Sequence, residues 1–216
     1  MKNAGTVLNN LKLFDNSFLK RNINIIAGVD EAGRGPIAGP VVAAAAIFEK
    51  QVFHPAINDS KKLSAKSREE LYHWIVKNCV SYGIGIIDQK EIDLINILQA
   101  ALKAMRIASE SLIPTPDLIL IDGNKVFKSG INTHCVVKGD SKSFSVAAAS
   151  IIAKVTRDNI MREYSKTHPI YMWHKNKGYG TKEHIDAVKN YGVTNIHRIS
   201  FLRKIVSAQE QTPVMI

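Results

Sequence analysis

Two periodicities divide this chain. Short apolar runs, of the length and composition that suit strands, cover Asn24 to Asp30, Val41 to Phe48, Cys79 to Ile87, Asp117 to Asp122 and Thr133 to Val137. A Gly- and Pro-rich connection joins the first two, which predicts an antiparallel pair. Between and after these runs the period becomes helical. Ser67-Arg68-Glu69-Glu70 has the form of a capping box and precedes a stripe of Leu71, Trp74 and Ile75. A second box, Asp88-Gln89-Lys90-Glu91, predicts one long helix with Ile95, Leu98, Leu102 and Met105 on one face, ended by Pro114 and Pro116. Phe144 to Tyr164 reads as a helix whose small residues, among them Ala147, Ala148, Ala149, Ser150 and Ala153, allow close packing on a sheet. Thr181 caps a further helix that Gly192 ends.

Strands that meander first and then alternate with helices predict an α/β fold. It is a mixed sheet flanked by helices, with a helical C-terminal elaboration, the strand ending at Asp30 central and the strand ending at Asp122 beside it. No repeat, low-complexity tract or linker interrupts the pattern. The expected organisation is a lead-in over 1–22, loosely ordered or a short helix, and one domain over 23–216 whose C-terminal helical region starts near 165.

Composition narrows the partners. The 216 residues are enough for one well-buried core, and 29 Lys+Arg against 19 Asp+Glu give a net charge of +10, which favours nucleic acid. Cys79 and Cys135 are the only cysteines and lack CxxC or zinc spacing, which speaks against a disulfide framework or a structural zinc site. The first residues lack the apolar core of a signal peptide, and Val41 to Phe48 is too short to span a bilayer. A soluble, cytoplasmic monomer is expected.

The candidate chemistry lies where apolar runs meet acids. Asp30, Glu31 and Asp122 each close such a run, and Asp140 follows a short one. A single strand-terminal acid is ordinarily solvated or caps the next element. Several converging acids repel one another unless a hard cation neutralises them, and Mg²⁺ or Mn²⁺ suits all-carboxylate ligation. Two such ions can activate water and stabilise the leaving oxygen of a phosphodiester. Directly after Asp30-Glu31, the glycines of Gly33-Arg34-Gly35 permit close backbone approach, and the arginine can hold a phosphate. Lys61, Lys62, Lys125, Lys128, Lys138, Lys142, Lys175 and Lys177 fall in predicted loops and suit a phosphate-tracking surface. Tyr179, between Gly178 and Gly180, is a candidate stacking residue. Lys154, Arg157 and Asp158 share helical spacing with Ser150 and could form an internal network, while His184 and His197 read as surface or hydrogen-bonding residues. Nucleophile triads, P-loops and dinucleotide fingerprints are absent.

Taken together, six ordered blocks resemble bacterial ribonuclease HII. They are Gly28 to Val41, Asp59-Ser60-Lys61-Lys62-Leu63, Ile121-Asp122-Gly123, Val137-Lys138-Gly139-Asp140, Ala148 to Asp158, and Lys177-Gly178-Tyr179-Gly180-Thr181, within a span from about Ile25 to Phe201. The resemblance implies a ribonuclease H-like five-stranded sheet and a metal-dependent endoribonuclease with two Mg²⁺ or Mn²⁺ ions. Its implied activity is cleavage of RNA paired to DNA, and 5′ to single ribonucleotides in duplex DNA, leaving 3′-OH and 5′-phosphate ends. It implies Asp30, Glu31, Asp122 and Asp140 as catalytic metal ligands. It also implies that the Gly33-Arg34-Gly35 backbone reads the ribose 2′-OH and that Tyr179 stacks near the junction; Ser60, Lys61, Lys62 and Lys142 join them as expected substrate contacts.

The related ribonuclease HIII usually carries an extra N-terminal substrate-binding domain, and few residues precede the first motif here. Near the end, Ser200-Phe201-Leu202-Arg203 lacks the proline often seen in the family pattern. The stretch Gln209 to Ile216 reads as a frayed end or a partner motif, and the residues do not decide on a clamp-type partner. Two other readings stand beside the nuclease: a catalytically silent protein that binds hybrids or junctions, and a nuclease of the same fold acting on plain DNA.

Overall fold

The structure, a computed structural model, describes residues 10–58, 60 and 63–206, with 203–206 described by backbone only. Met1 to Asn9, Asp59, Lys61, Lys62 and the candidate tail motif therefore lie outside the described residues. In chain order the elements are α1 (Asn10–Asn16), β1 (Ile26–Ala32), β2 (Val41–Ile47), α2 (Ala65–Asn78), β3 (Ser81–Ile87), α3 (Gln89–Ile95), α4 (Ile97–Glu110), β4 (Leu118–Asp122) and β5 (Asn132–Val136). Then follow α5 (Phe144–Thr167), α6 (Trp173–Asn176), α7 (Lys182–Tyr191) and α8 (Ile199–Val206).

The five strands form one mixed sheet in the order β3-β2-β1-β4-β5. The pairs β1–β2 and β2–β3 are antiparallel, while β1–β4 and β4–β5 are parallel. The expected antiparallel pair, the central β1 and its neighbour β4 are all observed. Alternation along the strands builds two cores. Ala27 and Val29 of β1, Ala43 and Ala45 of β2, and Ile119 and Ile121 of β4 pack with α3 and α4 through Ile92, Ala100, Ala104, Met105 and Ala108. On the other face Ala44 and Ala46 meet α5 through Phe144, Ala147, Ala148, Ile151 and Ile152, and α2 through Leu71 and Ile75. Leu120 turns to that second face, against Val146. By the same parity Asp30 and Asp122 also belong to the α5 face.

The structure departs from the sequence reading at several boundaries. The first strand runs through both acids to Ala32 instead of stopping at Asp30. Helix α2 begins at Ala65 because Ser64, not Ser67, is its cap, and the Ser64 side chain accepts the Ser67 N–H at 3.1 Å. The expected long helix from Asp88 is two helices. Asn96 breaks it with φ of 66°, and its side chain caps α4 by accepting the N–H groups of Leu98 and Gln99 at 3.0 and 3.2 Å. Helix α4 ends at Glu110, before Pro114 is reached, whereas α5 runs on to Thr167. The lead-in supplies α1, whose buried Asp15 accepts hydrogen bonds from the Ser143 hydroxyl and from the Ser145 N–H and hydroxyl at the start of α5. No described helix is long and apolar enough to cross a membrane.

The C-terminal helices dock through a separate apolar cluster that includes Ala38, Met161, Tyr171, Trp173, Ala187 and Val188. His184 and His197, expected at the surface or hydrogen-bonded, are buried inside this region and fully engaged. The His184 Nδ1–H donates to the Tyr179 carbonyl at 2.8 Å, and His184 Nε2 accepts from the Trp173 indole at 3.0 Å. His197 Nε2–H donates to that same acceptor at 3.1 Å, and its Nδ1 accepts the Thr194 N–H at 2.9 Å. This pattern assigns two neutral rings.

Burial, then the neighbouring His184, lowers the His197 pKa to about 4, with His168 adding to the repulsion; burial lowers that of His184 as well. A histidine held neutral contributes stability above its unfolded pKa near 6.5 that is lost as pH falls through its folded value. Between pH 7 and 4 the wild type should therefore lose roughly 3 kcal/mol more than a His197→Gln variant in urea unfolding. The buried carboxyls of Asp15, Asp30 and Glu31 are raised by burial and act with the opposite sign, but both proteins share them. Identical pH dependence in the two proteins would remove the histidine from this role.

Candidate active site

The parity that turns Asp30 and Asp122 to one face also brings them together in space. Val29 of β1 is in register with Ile121 of parallel β4, so the two aspartates occupy the next matching position. The third acid arrives by a local fold. Asp122 Oδ1 accepts the Gly139 N–H at 2.6 Å, which clamps the short 3₁₀ turn Gly139–Ser141 against the end of β4. A side chain at Gly139 would reach within 3.2 Å of that oxygen, so the close approach suits glycine. Asp140, in the same turn, is buried. One carboxylate oxygen from each of Asp30, Asp122 and Asp140 lies within 4.8 Å of the others.

Glu31 occupies the opposite parity to Asp30 and does not join this trio. Its carboxylate instead accepts from Arg34 Nη1 at 3.3 Å on the rim of the same cleft. The cleft has a volume of about 430 Å³ and is lined by Asp30, Glu31, Asp122, Gly33, Arg34, Gly35, Ser60, Ser150, Lys154 and Tyr179 among others.

Asp30 and Glu31 carry the electrostatic strain of the site. Asp30 is pushed well above the usual carboxylate range by burial, then by Glu31 and Asp122, against hydrogen bonds from Ser150 and the Glu31 N–H. Burial also raises Glu31, while Arg34 opposes the rise. A set of oxygen-only donors held this close and this dry fits a hard divalent cation. Ser60 and Ser150 sit 2.8 Å apart by their hydroxyls, and with Ser150 bonded to Asp30 the two form a relay that orients the carboxylate.

The sequence candidates divide on this geometry. Asp30, Asp122, Asp140, Glu31, the Gly33-Arg34-Gly35 segment, Ser60 and Tyr179 meet at or beside one cleft. Lys142 is exposed two residues beyond Asp140 and does not line it. Lys125 and Lys128 line a different groove beside α4, with Lys103 and Arg106. The internal network expected on α5 is only partly formed: Lys154 Nζ pairs with Asp158 at 2.8 Å, while Arg157 turns away to backbone carbonyls. Lys154 thus belongs to the cleft, with its ammonium 6.0 Å from the Tyr179 ring centre. Sequence reasoning missed Arg198 altogether. Its only sign was a charged residue inside the mostly apolar stretch Ile196 to Leu202.

Comparison with known proteins agrees with this geometry. The family model described as Ribonuclease HII matches residues 27–204. The chain belongs to the ribonuclease HII family. It is 51% identical over 194 residues to the ribonuclease HII of Acetivibrio thermocellus, covering 90% of this chain and 76% of that one. To the ribonuclease HII of Caldanaerobacter subterraneus subsp. tengcongensis it is 53% identical over 196 residues, covering 91% and 81%. Among solved structures, the ribonuclease H2 from Pyrococcus horikoshii OT3 superposes with a TM-score of 0.73 at 28% identity, covering 88% of this chain and all of that one. Ribonuclease HII proteins are metal-dependent ribonucleases, and this chain is accordingly a hydrolase that uses a divalent cation.

Proposed function

We propose that this protein cleaves the RNA strand of RNA–DNA hybrids and cuts 5′ to single ribonucleotides in duplex DNA, leaving 3′-OH and 5′-phosphate ends. The observation that carries this reading is the trio Asp30, Asp122 and Asp140, the first two of which line one cleft with a glycine backbone. These aspartates, with Glu31 at the rim, would hold Mg²⁺ or Mn²⁺, two ions in the full reaction. Such ions would activate water for attack on phosphorus and offset charge on the leaving oxygen.

The rest of the task falls to the chain. The Ser60–Ser150 relay keeps the Asp30 carboxylate in its ligating orientation. Of the Gly33-Arg34-Gly35 segment, Arg34 and Gly35 are exposed on the cleft wall, where their backbone can bond a 2′-OH, the group that distinguishes RNA from DNA. Arg34 and Lys154 present charge to the phosphate path, and Lys142 reaches it only from the periphery. Lys61 and Lys62 remain expected phosphate contacts that lie outside the described residues. Tyr179, 44% exposed, stands across from Gly35, where an added side chain would touch its ring at 3.7 Å.

A duplex with one embedded ribonucleotide, incubated with Mg²⁺, Mn²⁺ or EDTA, tests the reading. The expected result is one cut on the 5′ side with metal and none in EDTA; binding without cutting in every condition would favour the silent binder. Tyr179→Ala should lower kcat/KM on that duplex by roughly tenfold to a hundredfold, as loss of one base stack predicts. An unchanged value would count against stacking.

A further inference from the structure

Two arginines are fully buried without pairing to a carboxylate among the described residues: Arg157 on α5 and Arg198 just ahead of α8, each 0% exposed. The nearby acids are engaged elsewhere, Asp158 with Lys154, and Asp93 with the N–H groups of Ile199 and Ser200. Both guanidiniums are spent on backbone carbonyls. Arg198 donates to Gly33 at 2.7 Å, Arg34 at 3.2 Å, Gly39 at 2.8 Å and Pro40 at 3.0 Å. Arg157 donates to Pro40 at 2.9 Å, Ala38 at 3.1 Å and Lys177 at 2.9 Å. Burying a charge is costly, so uncompensated arginines serving one loop call for a reason beyond packing.

The geometry of the peptide unit supplies that reason. In a planar trans peptide the N–H points opposite to the preceding C=O. Drawing the Gly33 and Arg34 carbonyls inward onto Arg198 turns the Arg34 and Gly35 N–H groups away from it. Among the described residues neither N–H has a backbone or side-chain acceptor, and both residues are exposed on the cleft. Arg157 ties the same loop to the segment bearing Tyr179, which also bonds it directly as the Ile37 N–H donates to the Gly178 carbonyl at 2.9 Å. Gly33 leaves no slack in this packing, since a side chain there would come within 2.1 Å of Arg157 Nε.

We infer that Arg198 and Arg157 are positioning residues for ribose recognition: Arg198 aims two consecutive free amides into the cleft, and Arg157 locks that loop to the Tyr179 segment. The inference rests on reading Gly33 to Gly35 as the ribose-sensing segment. Lysine keeps the charge of either residue but cannot reach several diverging carbonyls at once.

The test measures Kd, with Ca²⁺ in place of Mg²⁺, for a duplex carrying one ribonucleotide and for the all-DNA duplex of the same sequence. Arg198→Lys should reduce the preference of the wild type for the ribonucleotide by about tenfold, the loss of roughly one charged hydrogen bond, while affinity for all-DNA duplex stays within about twofold. A purely structural role would scale both affinities together. Retained preference in Arg198→Lys, or in Arg157→Lys should the first variant not fold, overturns the inference. Absence of any preference in the wild type sinks the functional reading instead. Independently of substrate, ¹⁵N relaxation of the wild type should give Arg34 and Gly35 amides an order parameter near the rigid-backbone value of about 0.85, and a value below about 0.6 overturns the aiming role.

Discussion

Asp122→Asn should reduce cleavage of a single-ribonucleotide duplex by roughly a thousandfold or more while leaving affinity for that duplex largely intact. The substitution keeps size and shape. Asparagine retains an oxygen that can accept the Gly139 N–H, now accepted at 2.6 Å, so the turn that delivers Asp140 stays in place. What disappears is one negative charge from three carboxylates held within 4.8 Å of one another. Removing it relieves the repulsion that raises Asp30, so folding stability should hold or rise. Under the proposed function catalysis behaves the other way, because a ligand charge that would hold a cation against the reacting phosphate would be worth several kcal/mol, and each 1.36 kcal/mol is a factor of ten. Rates in Mg²⁺ and Kd for the same duplex, measured side by side, check both halves. Normal cleavage by the variant would remove Asp122 from the metal site.

The second large effect falls on folding. Gly28→Ala should destabilise the protein by roughly 3 kcal/mol or more. Gly28 sits on the face of β1 that meets α5, and a Cβ there would lie 2.2 Å from the backbone of Ser145 and Val146 and 2.7 Å from Ser145 Cβ. Neither side can yield cheaply. β1 is the central strand, and the start of α5 is tied to Asp15 through Ser143 and Ser145. The same displacement would part Asp30 from Asp140, so residual activity should fall with stability. Gly130→Ala is the control: nothing lies within 4 Å of its added Cβ, so it should be neutral within about 0.5 kcal/mol. Urea midpoints of the two variants separate these cases, and an unchanged midpoint for Gly28→Ala would show that β1 and α5 are less tightly apposed than they stand here.

Interactions within a few residues were legible along the chain. The Asp88 and Thr181 caps bond the N–H groups of Glu91 and His184 as their spacing predicts. Apolar runs of strand length located β1, β2 and β4, and the identity of the acids was readable before any contact was known. Two local errors share one origin. Ser64 and Ser67 both look like caps, and Asn96 looks like an ordinary helical residue until its φ is known, because side chains that can cap can also sit inside a helix.

The five strands, the helix from Phe144 and the helix capped by Thr181 could be read along the chain, as could the placing of Asp30 and Asp122 in apolar strands with the glycine backbone following the first of them directly. Which acids converge is set by contacts between distant parts of the chain. The fold set Glu31 apart by parity, brought Asp140 in through one hydrogen bond to Asp122, and sent Lys125 and Lys128 to another groove. It also gave Arg198 its place, 165 positions from Gly33, whose carbonyl it holds. The physical reason is the nature of the partners. A buried arginine that pairs with carboxylates leaves acids to find in the sequence, whereas one that holds backbone carbonyls bonds to a group every residue possesses.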